Sequence, residues 1–90
     1  MPSGKQIVAD PVATGLRALA WTLGDQTRAE RMLALTGLSG ADLRERASDP
    51  AVLAAVLSFL EAYEPDLIAC GDAIEVAPMT LVATREMLEQ

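Results

Sequence analysis

Few side chains in this sequence could carry chemistry at neutral pH. The chain contains no histidine and one cysteine, Cys70, among its 90 residues. Without histidine a Ser-His-Asp hydrolase is excluded, and the thiol lacks the base that usually deprotonates it. Because Cys70 lies on an apolar helical stripe, we expect it to be buried and unreactive. The sequence therefore predicts no catalytic residue and no cofactor.

Carboxylates are the most numerous groups with ligand chemistry. Five of them surround the fifth predicted helix: Glu61, Glu64, Asp66, Asp72 and Glu75. Their spacing does not match a calcium-binding loop, and helical di-iron sites require a Glu-x-x-His pattern. We interpret them as a solvated acidic face and predict no metal site. A carboxylate-dependent enzyme is the remote alternative.

The charge of the chain, −6 in total, is unevenly distributed. Residues 1–46 carry 6 basic and 5 acidic side chains, whereas residues 47–90 carry 1 basic and 8 acidic ones. This balance disfavours nucleic acid and anionic membranes. The acidic half either keeps the protein soluble or offers a face to a basic protein partner. The candidate interaction surface comprises the five carboxylates named above and Trp21, which either covers the edge of the core or marks a contact.

The sequence also bears on the compartment. The longest strongly apolar stretch, Ala51–Leu60, is too short for a membrane span, which needs about 20 residues. The first residues contain a lysine but no long apolar run, so we predict no signal peptide. A lone thiol without an export signal is typical of a reducing environment. We expect a cytoplasmic protein.

Local signals place the predicted helices. Asp followed by Pro is a strong helix start, and it occurs at Asp10–Pro11 and again at Asp49–Pro50. Gly37 is typical of a left-handed helix end, and Ser39 with Asp42 resembles a capping box that opens a short third helix. Since no segment alternates apolar and polar residues, we predict no strand.

These signals together predict an all-α fold. Residues 1–9 are expected to form a flexible tail, and residues 10–90 a single compact bundle of about six short helices. The central helix, at about residues 50–63, lacks a polar face and should be buried among the others. We expect Gly71 to pack closely against this helix, and Ile68 and Met87 to face the core.

Three stretches resemble a known family: LALTGL at Leu33–Leu38, LRERA at Leu43–Ala47 and DPAVLAAVLSFLEAYE at Asp49–Glu64. The chain resembles, over about residues 11–89, the short alphaproteobacterial proteins of domain-of-unknown-function family three-five-seven-two. That family starts its last helix with a Gly-Leu-Asp-Pro type sequence, whereas this chain has Glu75–Pro78, which lacks the capping side chain. The resemblance implies an all-helical bacterial cytoplasmic protein and assigns no site residue.

Two classes of function fit these observations. We favour a protein–protein interaction or structural module that uses the acidic face or an apolar groove. Five short helices leave part of an all-apolar central helix uncovered, and a homodimer or a partner helix would cover it. The alternative is a helix-turn-helix-like DNA-binding protein that uses Arg28, Arg31, Arg44 and Arg46 around the Gly37 turn. The acidic balance disfavours that alternative.

Overall fold

Four of the six described helices begin at a short side chain that accepts hydrogen bonds from the backbone, and the last two begin without such a cap. A computed structural model describes residues 8–90. Its helices are α1 (Pro11–Leu23), α2 (Gln26–Thr36), α3 (Gly40–Arg46), α4 (Pro50–Glu61), α5 (Glu64–Ile74) and α6 (Pro78–Leu88). Residues 8–90 contain no strand, so the prediction of an all-α bundle is confirmed. Most of the predicted tail lies outside the described residues; Val8, near its end, is buried.

The predicted caps are present. The Asp10 carboxylate accepts the Ala13 N–H at 3.1 Å, and the Asp49 carboxylate accepts the Ala51 N–H at 2.9 Å. Ser39 and Asp42 form a reciprocal capping box with N···O distances of 2.8 and 3.0 Å. Gly37 ends α2 with φ of 77°, a left-handed conformation that glycine adopts without strain. These caps fix where α1, α3 and α4 begin.

Helix α4 is the centre of the bundle. It contacts each of the other five helices. Seven of its residues are buried: Val52, Leu53, Ala54, Val56, Leu57, Phe59 and Leu60. Helix α1 packs closely on α4 at Gly15, where an added Cβ would lie 3.1 Å from the Leu53 Cβ. The prediction of a buried central helix is therefore confirmed.

The bundle is nevertheless only two helices thick in its shortest direction. That dimension is 17 Å, whereas two layers of helices span about 13–15 Å and three span more than 20 Å. One side of α4 consequently has no helix above it. Ala51, Ser58 and Ala62 are exposed along this side, and Ala55 is half-buried.

Three packing predictions were wrong. Ile68 is 45% exposed and Met87 is 42% exposed, since they lie at the margins of the packed faces of their helices rather than on those faces. Gly71 does not face α4: an added Cβ would lie 2.5 Å from the carbonyl oxygen of Val76. The glycine is required by the turn between α5 and α6, where Glu75 adopts a left-handed φ of 59°.

Candidate functional site

The structure separates the five predicted carboxylates into different settings. Glu61 accepts a hydrogen bond from Arg85 of α6, and this bond raises the pKa of the Arg85 guanidinium. Asp66 pairs with Arg31 of α2. The other three lie on the outer side of α5 and are exposed: Glu64, Asp72 and Glu75. Among residues 8–90, no three or more acidic, cysteine or histidine side chains are grouped to hold a metal ion.

Trp21 covers the edge of the core. Its ring packs against the buried cluster and is half-buried. The Arg28 guanidinium stacks on the other side, 3.6 Å from the ring centroid, and donates a hydrogen bond to the Trp21 carbonyl oxygen. Trp21 thus lies at the edge of the core, and its role as a contact surface stays a prediction.

Most of the arginines considered for DNA binding are engaged within the chain. Arg28 stacks on Trp21, and Arg31 pairs with Asp66. Arg46 lies 3.1 Å from a carboxylate oxygen of Asp49. Because these contacts hold the guanidinium groups against the protein, they reduce what the α2–α3 segment offers to a phosphate backbone.

The Cys70 side chain is fully buried, as predicted. Burial raises the pKa of its thiol to about 11, because a thiolate loses its hydration in apolar surroundings. The thiol is therefore protonated at neutral pH. Its role is to fill space between α5 and the core.

The most distinctive surface is a trough over the uncovered side of α4. Three adjoining depressions, of about 590, 510 and 340 Å³, share residues and run the length of the helix. We call this surface the α4 trough. Its floor consists of Ala51, Ala54, Ala55, Ser58, Phe59 and Ala62, and its sides of Arg31, Leu35 and Thr36 on one edge and Leu88 and Glu89 on the other.

Two large apolar side chains stand at the edge of the α4 trough. Leu35 is 73% exposed and Tyr63 is 54% exposed, and both line the depression that ends beside Phe59. Leucine is the more informative of the two, because tyrosine also has a polar hydroxyl. Their exposure beside a floor of methyl groups makes the α4 trough an apolar groove open to solvent.

The two ends of the α4 trough differ in charge. At the end where α4 starts, Asp49 and Glu89 line the groove. Asp49 has a lowered pKa because it accepts the Ala51 N–H and pairs with Arg46, so it is ionised at neutral pH. At the other end the only charged lining residue is Arg31, beside Tyr63. Each of these charged groups is paired within the chain: Arg31 with Asp66, Asp49 with Arg46, and Glu89 with Arg85.

Sequence reasoning did not find the α4 trough as a set of residues. Its floor positions recur along α4 at helical spacing, but α4 is apolar all round, and the spacing of alanines does not show which side is uncovered. Leu35 lies next to the buried face of α2 rather than on it. The apolar perimeter of α4 indicated that some groove would be left open, and this off-face leucine was the signal for where it lies.

Comparison with known proteins identifies a family but no relative of known activity. A family model described as Protein of unknown function (DUF3572) matches residues 8–90. No curated protein and no solved structure matches the chain significantly. Within residues 8–90, no single helix has the length and apolar character to cross a bilayer. Helices α5 and α6 reach that length and apolar character only when they are taken together, and the two are bent by 98° relative to each other.

Proposed function

The chain belongs to the DUF3572 family, whose description names no activity, and we propose from its surface that it is a protein–protein interaction module that binds its partner in the α4 trough. The observation that carries this proposal is Leu35, which is 73% exposed beside an open apolar groove. Contiguous exposed apolar surface, here Leu35 and Tyr63 beside a floor of methyl groups, is typical of interaction sites, whereas single exposed apolar side chains are common.

The dimensions of the α4 trough suit a helix. The groove follows α4, whose 12 residues extend over about 18 Å. A partner helix of three to four turns places its anchor residues over that length. The alanine floor leaves room for large side chains of the partner, since each alanine projects only a methyl group.

For the compartment we propose the bacterial cytoplasm, as the family resemblance implies. Cys70 is the single thiol of the chain and has no disulfide partner, which suits a reducing environment. A DNA-binding role has less support, because Arg28, Arg31 and Arg46 are held in contacts within the chain.

Photo-crosslinking in the native cell tests the proposal. A photoreactive phenylalanine analogue replaces Leu35 in one strain. In a control strain it replaces Met79, which is 64% exposed and lies outside the α4 trough. We expect a discrete covalent adduct from position 35 that is missing from position 79. The same adducts from both positions, or none from position 35, would contradict the proposal.

A further inference from the structure

We propose that residues 38–48, which contain α3, form a strap at the start of α4 that opens while the other five helices stay folded, and that Arg46 is the latch that holds it closed. We call this segment the α3 strap. The inference does not depend on the proposed function. It is carried by three observations: the shallow packing of α3, a glycine hinge before it and the position of Arg46.

Helix α3 is held to the bundle by little buried surface. Among the six helices of residues 8–90, it is the one with no buried residue. Its apolar contacts with the core come from three half-buried side chains: Leu38, Leu43 and Ala47. A helix of 7 residues is not stable alone, since isolated helices need about 12–15 residues. Segments with so little buried apolar surface open at a lower free energy than the core does.

The chain can bend on both sides of α3. Gly37 precedes the α3 strap with φ of 77°, and no atom of residues 8–90 lies within 4 Å of the place where its Cβ would be. Glycine adopts positive and negative φ about equally well, so rotation at this point meets no steric barrier. On the other side, Ala47 and Ser48 form a turn before the Asp49 cap of α4. The two ends can therefore stay attached to α2 and α4 while the segment between them moves.

Arg46 joins the last turn of α3 to the first turn of α4. Its guanidinium lies 3.7 Å from a carboxylate oxygen of Asp42, within α3, and 3.1 Å from one of Asp49, the cap of α4. The Arg46 side chain is 51% exposed, so water and salt weaken both pairs. A latch of this strength favours the closed strap without preventing it from opening.

Opening of the α3 strap changes the surface of the protein at one end of the α4 trough. It uncovers Leu38, Leu43 and Ala47 together with the part of the core that they cover. Asp49 and Pro50, which directly follow the strap, line that end of the trough. The fold thus contains a conformational change that adds accessible apolar surface there without global unfolding.

Native-state hydrogen exchange on the purified full chain tests the proposal. The amides of Leu43 and Arg46 in α3 should be protected at least about 100-fold less than the amide of Leu57 in α4. Urea concentrations below the unfolding midpoint should speed exchange at Leu57 but leave exchange at Leu43 and Arg46 almost unchanged. The reason is that a local opening exposes little new surface to the denaturant.

A pair of substitutions then tests the latch. Arg46→Gln should lower the protection of the α3 amides about three- to tenfold, because both ion pairs are lost. The matched control is Arg44→Gln. Arg44 lies in the same last turn and is exposed, and it makes no ion pair within residues 8–90, so its removal should leave α3 protection unchanged.

Limited digestion with trypsin provides a second readout, since cleavage requires local opening. The first cut within residues 8–90 should follow Arg44 or Arg46, and a first cut at an arginine of another helix would contradict the inference. Equal protection of the α3 and α4 amides, with the same urea dependence, would show that α3 opens only when the whole chain unfolds. Equal effects of Arg46→Gln and Arg44→Gln would show that Arg46 is not the latch, and either result overturns the proposal.

Discussion

Gly71→Ala is the substitution for which helix propensity and tertiary structure predict opposite effects. Gly71 lies inside α5, where alanine is favoured over glycine by about 1 kcal/mol. Propensity alone therefore predicts that the variant is more stable. The structure predicts that it is less stable, because the new Cβ would point at the turn that follows the helix.

The size of the effect follows from the contact. The added Cβ would lie 2.5 Å from the Val76 carbonyl oxygen, and real contacts of this kind stay beyond about 3.0 Å, so something must move by about 0.5 Å. The turn resists, since the Val76 N–H donates to the Gly71 carbonyl at 2.9 Å and Glu75 is held at φ of 59°. Overpacking of this kind costs about 1–3 kcal/mol. Because the contact is with a backbone oxygen rather than with a flexible side chain, the upper part of that range applies, about 2–3 kcal/mol, and subtracting the gain in propensity leaves a net loss of about 1–2 kcal/mol.

Urea denaturation measured by circular dichroism provides the assay. With a slope of about 1 kcal/mol per molar urea for a domain of this size, the midpoint should fall by about 1–2 M. Gly40→Ala is the matched control: its Cβ would meet only the end of the flexible Arg44 side chain, at 3.4 Å. That variant should be as stable as the wild type or slightly more so. An unchanged or higher midpoint for Gly71→Ala would show that the turn yields easily and that the argument from the contact is wrong.

Two further predictions concern the core and the caps. Leu57→Ala should lower the free energy of unfolding by about 2–5 kcal/mol because Leu57 is fully buried. The control Leu35→Ala changes an exposed side chain and should alter that free energy by less than about 0.5 kcal/mol. Equal effects of the two substitutions in urea titrations would mean that the core is misplaced. The pKa values of Asp42 and Asp49 are lowered below 3.8, chiefly by backbone N–H groups, so their stabilising effect is present above that pH and lost as the pH falls through the lowered values. The double variant Asp42→Asn and Asp49→Asn should therefore lose less stability than the wild type between pH 6 and pH 2, and an equal loss would place the acid sensitivity elsewhere.

The features that were predictable from the sequence are those set by neighbours along the chain. A cap is a contact between residues two or three positions apart, so the pairs Asp10–Pro11 and Asp49–Pro50 were sufficient to start α1 and α4. The left-handed end at Gly37 was predictable for the same reason. The burial of α4 followed from its composition, because a helix without a polar face has to be covered on most sides.

The features that were missed depend on contacts between residues far apart in the chain, or on residues whose type does not determine which neighbour they face. Glycine in a helix indicates close packing but does not indicate against what, and for Gly71 the neighbour is the following turn rather than α4. Ile68 and Met87 are apolar residues at the margins of their helices, where a small change in helix rotation decides between core and solvent. The five carboxylates predicted to form one acidic surface are in different settings, because Arg31 pairs with Asp66 and Arg85 pairs with Glu61 from other helices.

Alanine explains how one side of α4 can remain uncovered without a large cost in stability. Ala54 is buried and Ala51 is exposed on the same helix, since a methyl group gains little from burial and loses little in water. Burying the exposed parts of Leu35 and Tyr63 under a partner would contribute about 2–4 kcal/mol, which does not exceed the cost of association, about 4–15 kcal/mol. A partner must therefore bury the floor as well, and an interface limited to one helix should have a dissociation constant of about micromolar order. A groove with so many methyl groups and so few large side chains is suited to a reversible interaction in which the partner supplies most of the apolar surface.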